Sequence, residues 1–194
     1  VNTPLTGEYT FEMEFNMSPV ASPANSGWEM LTGFRIKLEG QNNDKCYSEL
    51  RIRPDYGMAL SNNRFNADRG ENYIVKSNTW NKLKIVWDLT NSTGRTLNMW
   101  LNDVIIYENV AISDDINAYS NLNIGSFNME SLEKSMLINN LSFTKTENGT
   151  TTAILDTDFS DVTVDSLLSS NCQKAGDGIM SIDKNVLYSK TAVD

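Results

Sequence analysis

Apolar and polar residues alternate with a period of two in one segment of this chain after another. Glu8–Asn16 reads EYTFEMEFN, with Phe11, Met13 and Phe15 on one side and Thr10, Glu12, Glu14 and Asn16 on the other. Successive side chains of a strand point to opposite faces, so this pattern specifies a strand with one buried and one solvated face. The alternation recurs as Phe34, Ile36 and Leu38 against Arg35, Lys37 and Glu39, and as Leu50 and Ile52 against Glu49, Arg51 and Arg53. Leu83, Ile85, Trp87 and Leu89 form another apolar set, and Leu97, Met99 and Leu101 stand against Thr96, Asn98, Trp100 and Asn102. Residues 104–110, 122–127 and 136–143 read as strands as well.

Turn-forming residues separate these runs: Asn42-Asn43-Asp44, Pro54-Asp55-Tyr56-Gly57, Asn91-Ser92-Thr93-Gly94 and Asn102-Asp103. Helical periodicity is nearly absent, and residues 162–169 offer no more than a short helix or turn. Many short strands without strand–helix–strand alternation specify an all-β chain, folded as a two-sheet antiparallel sandwich or jelly roll. At 194 residues the chain has the length of one domain, able to bury a core without metals or many disulfides. There is no low-complexity linker and no internal repeat. Residues 1–194 therefore read as one domain, with the strand pattern over residues 5–146 and a tail over residues 151–194.

Composition removes whole classes of function. The net charge of −9 argues against nucleic acid as partner, because phosphate binding wants a basic footprint. There is no histidine, which removes Ser-His-Asp and Cys-His nucleophiles, His-based proton transfer and His-containing metal sites. Carboxylate chemistry, Tyr/Lys chemistry, oxygen-ligated metals or binding without catalysis remain. No apolar run approaches the about 18 residues that a membrane-spanning helix needs. Val1–Tyr9 has neither the basic start nor the apolar stretch of a secretory leader. Cys46 and Cys172 are either a disulfide of an exported protein or two separate buried thiols. Of four N-x-Ser/Thr matches, at Asn16, Asn91, Asn140 and Asn148, two fall in expected strands, so all four are read as products of an Asn-rich composition.

Several stretches carry a resemblance. Trp80–Asp88 reads WNKLKIVWD, Thr96–Ile105 reads TLNMWLNDVI, Leu122–Gly125 reads LNIG, and Met136–Phe143 reads MLINNLSF. This succession resembles the laminin-G-like, concanavalin A-like lectin and glucanase sandwiches over residues 28–145. Those domains run a "W-x-x-L/V-x-I-x-W/V-D" strand, a "WLNG" hairpin, an "L-x-I-G" strand and an "I-D-N" strand. Asp103 stands where the hairpin glycine usually sits, and Asn139 where the aspartate of the last motif sits. Ile154–Ser160, ILDTDFS, resembles the opening strand of such a domain, and Ser181–Lys190 its second strand. Leu5–Phe15 resembles a third element although it comes first in the chain. Either the domain is circularly permuted, with the tail supplying its opening strands, or the tail starts a following module of a tandem array. The first arrangement is preferred, and it requires Asp158–Ser160 to pair inside the sandwich.

The resemblance implies a carbohydrate ligand, and the polar faces supply candidates. Trp100 shares its expected face with Asn98, Thr96 and Asn102, an unusual place for a large apolar ring. Aromatic rings stack on the C–H faces of sugars, while Arg, Asn and Glu bond their hydroxyls or carboxylates. The expected surface holds Trp100, Asn98, Tyr47, Glu49, Arg51, Arg53 and Arg35, with Trp28, Trp80 and Trp87 in the core. Ser48-Glu49-Leu50-Arg51 is similar to the "R-S/T-E-L-R" strand of jelly-roll alginate lyases, but the histidine strand of that family has no counterpart. Glu12 and Glu14 lie within the about 5–9.5 Å that paired carboxylates of glycosidases span. They lack the "E-x-D-x-x-E" spacing of jelly-roll glucanases, so a solvated face is the expectation. Asp156 and Asp158, with Asn140 on the expected partner strand, are candidates for a structural calcium, which takes about six to eight oxygens. The function expected is non-catalytic polysaccharide binding on a concave sheet, in a module of an exported, multi-module carbohydrate-degrading protein. A lyase or glycosidase, or a cell-surface adhesin, are the alternatives.

Overall fold

The computed structural model describes residues 5–17, 33–40, 49–53, 57–61, 65–68, 75–91, 93–111, 119–127, 135–161, 163, 165–166, 179–183 and 186–190. These residues form thirteen strands, all paired antiparallel, and only Asp165 and Ser166 are helical. The strands are β1 (Glu8–Met17), β2 (Gly33–Gly40), β3 (Glu49–Arg53), β4 (Gly57–Ser61), β5 (Phe65–Asp68), β6 (Asn81–Asp88) and β7 (Thr96–Leu101). They continue as β8 (Val104–Ala111), β9 (Tyr119–Phe127), β10 (Ser135–Glu147), β11 (Thr150–Thr157), β12 (Ile179–Asp183) and β13 (Val186–Lys190). The all-β expectation holds. No helix of the described residues is long and apolar enough to cross a membrane.

Hydrogen bonding divides the strands between two sheets. The larger runs β12-β13-β10-β1-β6-β7-β8, with β11 also on β10; the smaller runs β5-β4-β3-β2-β9. β1 lies between β6 and β10, so the alternation of its sequence becomes the alternation of the sheet. Phe11, Met13 and Phe15 are at most 1% exposed, and Leu83, Ile85 and Trp87 on β6, Leu89 just after it, and Leu97, Met99 and Leu101 on β7 are buried with them. These are the residues whose spacing marked them as an inward face. Trp87 meets Phe143 edge to face, with ring centroids 6.4 Å apart and planes at 88°, the geometry that ring quadrupoles favour.

Tight turns connect the hairpins. Asn102 and Asp103 have φ of 50° and 63°, and Asn148 and Gly149 have φ of 52° and 75°. Positive φ at both central residues is the type I′ geometry, whose twist matches that of paired strands. Asn102 is fixed further: its Oδ1 accepts the Lys82 N–H at 2.8 Å, and its own N–H donates to the Lys82 carbonyl at 2.8 Å.

Four sequence expectations change. Trp80 is 45% exposed, not in the core. The inward place at the start of β6 belongs to Asn81, 2% exposed, whose Nδ2 donates to the carbonyls of Lys76 and Thr79 at 3.0 and 2.8 Å. Alternation then turns Trp80 outward. Residues 181–190, read as one strand, form the hairpin β12–β13. The β10–β11 ladder ends at the pair Leu141–Thr157, so Asp158–Ser160 do not pair as the permuted arrangement required. They form a turn in which Asp158 Oδ1 accepts the Ser160 N–H at 2.9 Å and Phe159, at φ 62°, is 1% exposed. The tail nevertheless joins the larger sheet, because β11 and β13 share the edge of β10 that β1 leaves free. Finally, the sequence indicated no strands at β4 and β5. At residues 162–169, Thr163 and Ser166 close a turn by exchanging bonds: each N–H donates to the other's hydroxyl, at 2.9 and 3.1 Å.

Candidate functional site

Register aligns the outward residues of the larger sheet in rows. Glu12 on β1 pairs with Lys84 on β6, and Lys84 with Trp100 on β7. In the other direction Glu12 pairs with Ser142, and Ser142 with Asp156 on β11. Trp100 pairs with Ile105 on β8, which is 43% exposed. One row therefore crosses six strands, carrying two carboxylates, one ammonium and an aromatic ring. Direct cross-strand neighbours point to the same side of a sheet, so these groups share the face opposite the core.

Lys84 is the hinge of the row. Its Nζ lies 3.3 Å from Glu12 Oε1 and 5.8 Å from the centroid of the Trp100 ring, within the distance over which a ring face attracts a cation. Both ends of the ion pair are partly solvated, so its net contribution to stability is small. What it does is hold the ammonium over one face of the indole. Next to it Lys82 Nζ donates to Asp103 Oδ1 at 3.1 Å, and this bond holds the Lys82 ammonium above its ordinary range.

Two adjoining hollows open on this face. The larger, about 540 Å³, has Glu8, Thr10, Lys84, Asn98 and Trp100 among its walls. The smaller, about 240 Å³, has Glu14, Asn140, Asp156 and Asp158. Glu12 and Lys82 line both.

Asn98, a candidate sugar contact, also has a structural task. Its Oδ1 accepts the Asn109 N–H at 2.7 Å, where β8 carries an extra residue between the pairs Leu97–Val110 and Met99–Tyr107. Asn109 has φ of 51°.

The structure divides the remaining candidates. Trp100 and Asn98 lie on β7 of the larger sheet. Arg35, Glu49, Arg51 and Arg53 lie on β2 and β3 of the smaller sheet. There Arg35 pairs with Arg51 and Lys37 with Glu49, so these two strands are neighbours as expected. Among the described residues no ladder joins them to Trp100. Tyr47, Trp28, Cys46 and Cys172 lie outside the described residues.

Asn140, Asp156 and Asp158, the calcium candidates, do meet in the smaller hollow. Asn140 is the extra residue of a bulge opposite Met13 and Glu14, at φ 48°, and its Nδ2 donates to Glu14 Oε2 at 2.7 Å. The Ser160 hydroxyl, and after it the Ser160 N–H, hold the Asp158 carboxyl below its usual range. Among the described residues no three carboxylate or thiol side chains come together closely enough to hold a metal ion.

Glu12, Lys84 and Ile105 belong to the row but were not among the sugar-binding candidates. The alternation of β1 and β6 puts Glu12 and Lys84 on polar faces. What it does not carry is that β1 and β6 are adjacent, or that their register sets these residues in line with Trp100. Compared with known protein families and with curated proteins, the chain matches none.

Proposed function

We propose that the outward face of the larger sheet binds a polysaccharide without acting on it chemically. The observation that carries the reading is Trp100: an aromatic ring on a strand face otherwise polar, beside hydrogen-bonding groups and within an open groove. A sugar ring laid on the indole would bury its C–H face there and turn its hydroxyls toward Glu12, Thr10 and Asn98. Two hollows in line suit an extended chain better than a compact small molecule. With no histidine in the chain, proton transfer would fall to carboxylate, tyrosine or lysine side chains. Glu12 and Glu14 are each engaged, with Lys84 and with Asn140.

The same reading extends to architecture. One face of β1, β6 and β7 is buried at Phe11, Met13, Phe15, Leu83, Ile85, Trp87, Leu97, Met99 and Leu101, which calls for a second layer. In the smaller sheet Phe34, Ile36, Leu50 and Ile52 occupy paired positions of one parity. A concanavalin A-like sandwich with these faces inward satisfies both. In this reading the parent protein is exported and carries further modules that degrade the bound polymer.

Affinity electrophoresis in gels containing soluble polysaccharides tests the proposal. The chain should be retarded by at least one polymer, and Trp100→Ala should abolish the retardation. Retardation unchanged in the variant overturns the site, and no retardation in any gel overturns the function.

A further inference from the structure

We infer that the face around Trp100 selects uncharged glycans and rejects uronate and sulfate polymers. The inference rests on the carbohydrate reading above and adds to it the charge class of the ligand. Because the two hollows share Glu12 and Lys82, they flank one continuous strip along which an extended chain would lie. Six carboxylates line this strip, from Glu8, Glu12, Glu14, Asp103, Asp156 and Asp158, against the two ammonium groups of Lys82 and Lys84. Both ammonium groups are already engaged by carboxylates, Lys82 by Asp103 at 3.1 Å and Lys84 by Glu12 at 3.3 Å. Four carboxylates remain in excess.

The chemistry of that excess decides the ligand class. An ionised carboxylate only accepts hydrogen bonds. A hydroxyl-rich neutral sugar supplies hydrogen-bond donors to these carboxylates. A uronate or sulfate group supplies more acceptors and a charge of the same sign, at separations shorter than the screening length of about 8 Å at physiological salt. The stacking surface does not change this preference, since Trp100 and its exposed neighbour Ile105 contact C–H groups whatever the sugar's charge. The arginines and lysine that would have suited a uronate, Arg35, Lys37, Arg51 and Arg53, lie on strands of the smaller sheet, with no ladder to this face among the described residues.

The test is affinity electrophoresis of the whole chain, at low and at physiological salt. One set of gels holds uncharged polymers (a β-glucan, a xylan and a galactomannan), and the other holds polygalacturonate or alginate. At least one uncharged polymer should bind ten times or more tightly than either uronate polymer, at both salt concentrations. Trp100→Ala should lose this retardation, and Trp100→Phe, which keeps a ring, should retain part of it. Retardation by polygalacturonate or alginate that equals or exceeds that by every uncharged polymer overturns the charge class while leaving carbohydrate binding intact. Absence of retardation in every gel overturns the carbohydrate reading itself, and this inference with it.

Discussion

Asn98 Oδ1 accepts the backbone N–H of Asn109 at 2.7 Å and so fixes the bulge in β8 from the neighbouring strand. An edge strand bent by a bulge is a poor template for pairing with another chain. Asn98→Ala removes the acceptor and should cost about 1 kcal/mol. Asn98→Asp, which keeps an oxygen in place, should stay within about 0.5 kcal/mol of the parent. Urea denaturation of both variants checks this, and a larger loss in Asp than in Ala would contradict the assignment.

Trp100 lies on the solvated face, so its removal should separate binding from stability. Trp100→Ala should weaken glycan binding at least tenfold, or about 1.4 kcal/mol. The unfolding free energy should change by no more than about 1 kcal/mol. Trp87→Ala is the contrast, because Trp87 is fully buried; it should cost about 3–5 kcal/mol.

Phe159 combines a buried ring with a left-handed backbone, at φ 62° and 1% exposure. Phe159→Ala loses the ring and keeps the strain, for a cost of about 3 kcal/mol or more. Phe159→Gly loses the ring but relieves the strain. Glycine should therefore be less destabilising than alanine here by up to about 1 kcal/mol, the reverse of the order expected at an ordinary strand position. Thermal unfolding of the two variants gives the sign directly.

Gly7 and Gly94 both have positive φ, 96° and 72°, yet they should respond differently to substitution. A Cβ at Gly7 would sit 2.7 Å from the Thr146 carbonyl oxygen, while one at Gly94 would meet nothing within 4 Å. Gly94→Ala should cost about 1 kcal/mol, from backbone strain alone. Gly7→Ala should cost more than about 2 kcal/mol, because the β1–β10 ladder must shift as well. Equal denaturation midpoints would refute the difference.

Glu147 accepts from Lys145 Nζ at 2.7 Å and from the Thr6 hydroxyl at 2.6 Å. These bonds, that from Lys145 foremost, hold its carboxyl below the usual range. The unfolded chain then takes up the proton first as pH falls. The stabilisation is whole above the ordinary carboxylate pKa and disappears as pH drops through the lower folded value. Glu147→Gln should flatten the fall in urea midpoint between neutral pH and about pH 3. An unchanged slope in the variant would show that the bonds do not carry it.

Much of the larger sheet can be read from the chain because each strand carries its own burial code. Phe11, Met13 and Phe15 need no knowledge of their partners to be assigned inward, and the same holds for Leu83, Ile85 and Trp87. β4 and β5 are only five and four residues long, GMALS and FNAD, too short and too mixed for an alternation to stand out. At Trp80 apolar character and position relative to the strand's first inward residue disagree, and position wins. For the site, the lone ring of Trp100 on a polar face was visible in sequence. Its company was not. Lys84 reaches it across the β6–β7 hairpin, but Glu12 joins the row only through Lys84, 72 positions along the chain, whereas Arg51 and Glu49 look equivalent by pattern and lie on another sheet.

β1 has no local partner: its two neighbours, β6 and β10, pair Glu8 with Asp88 and with Thr146. This strand must therefore wait until Asn81 is reached before it finds one edge and until Ser135 before it finds the other. Until then Phe11, Met13 and Phe15 have no sheet to enter. Assembly of this sheet is for that reason governed by the closing of long loops rather than by local zippering. It belongs with slow, high-contact-order folding, in which the strand at the centre of the finished sheet carries the greatest aggregation hazard on the way there.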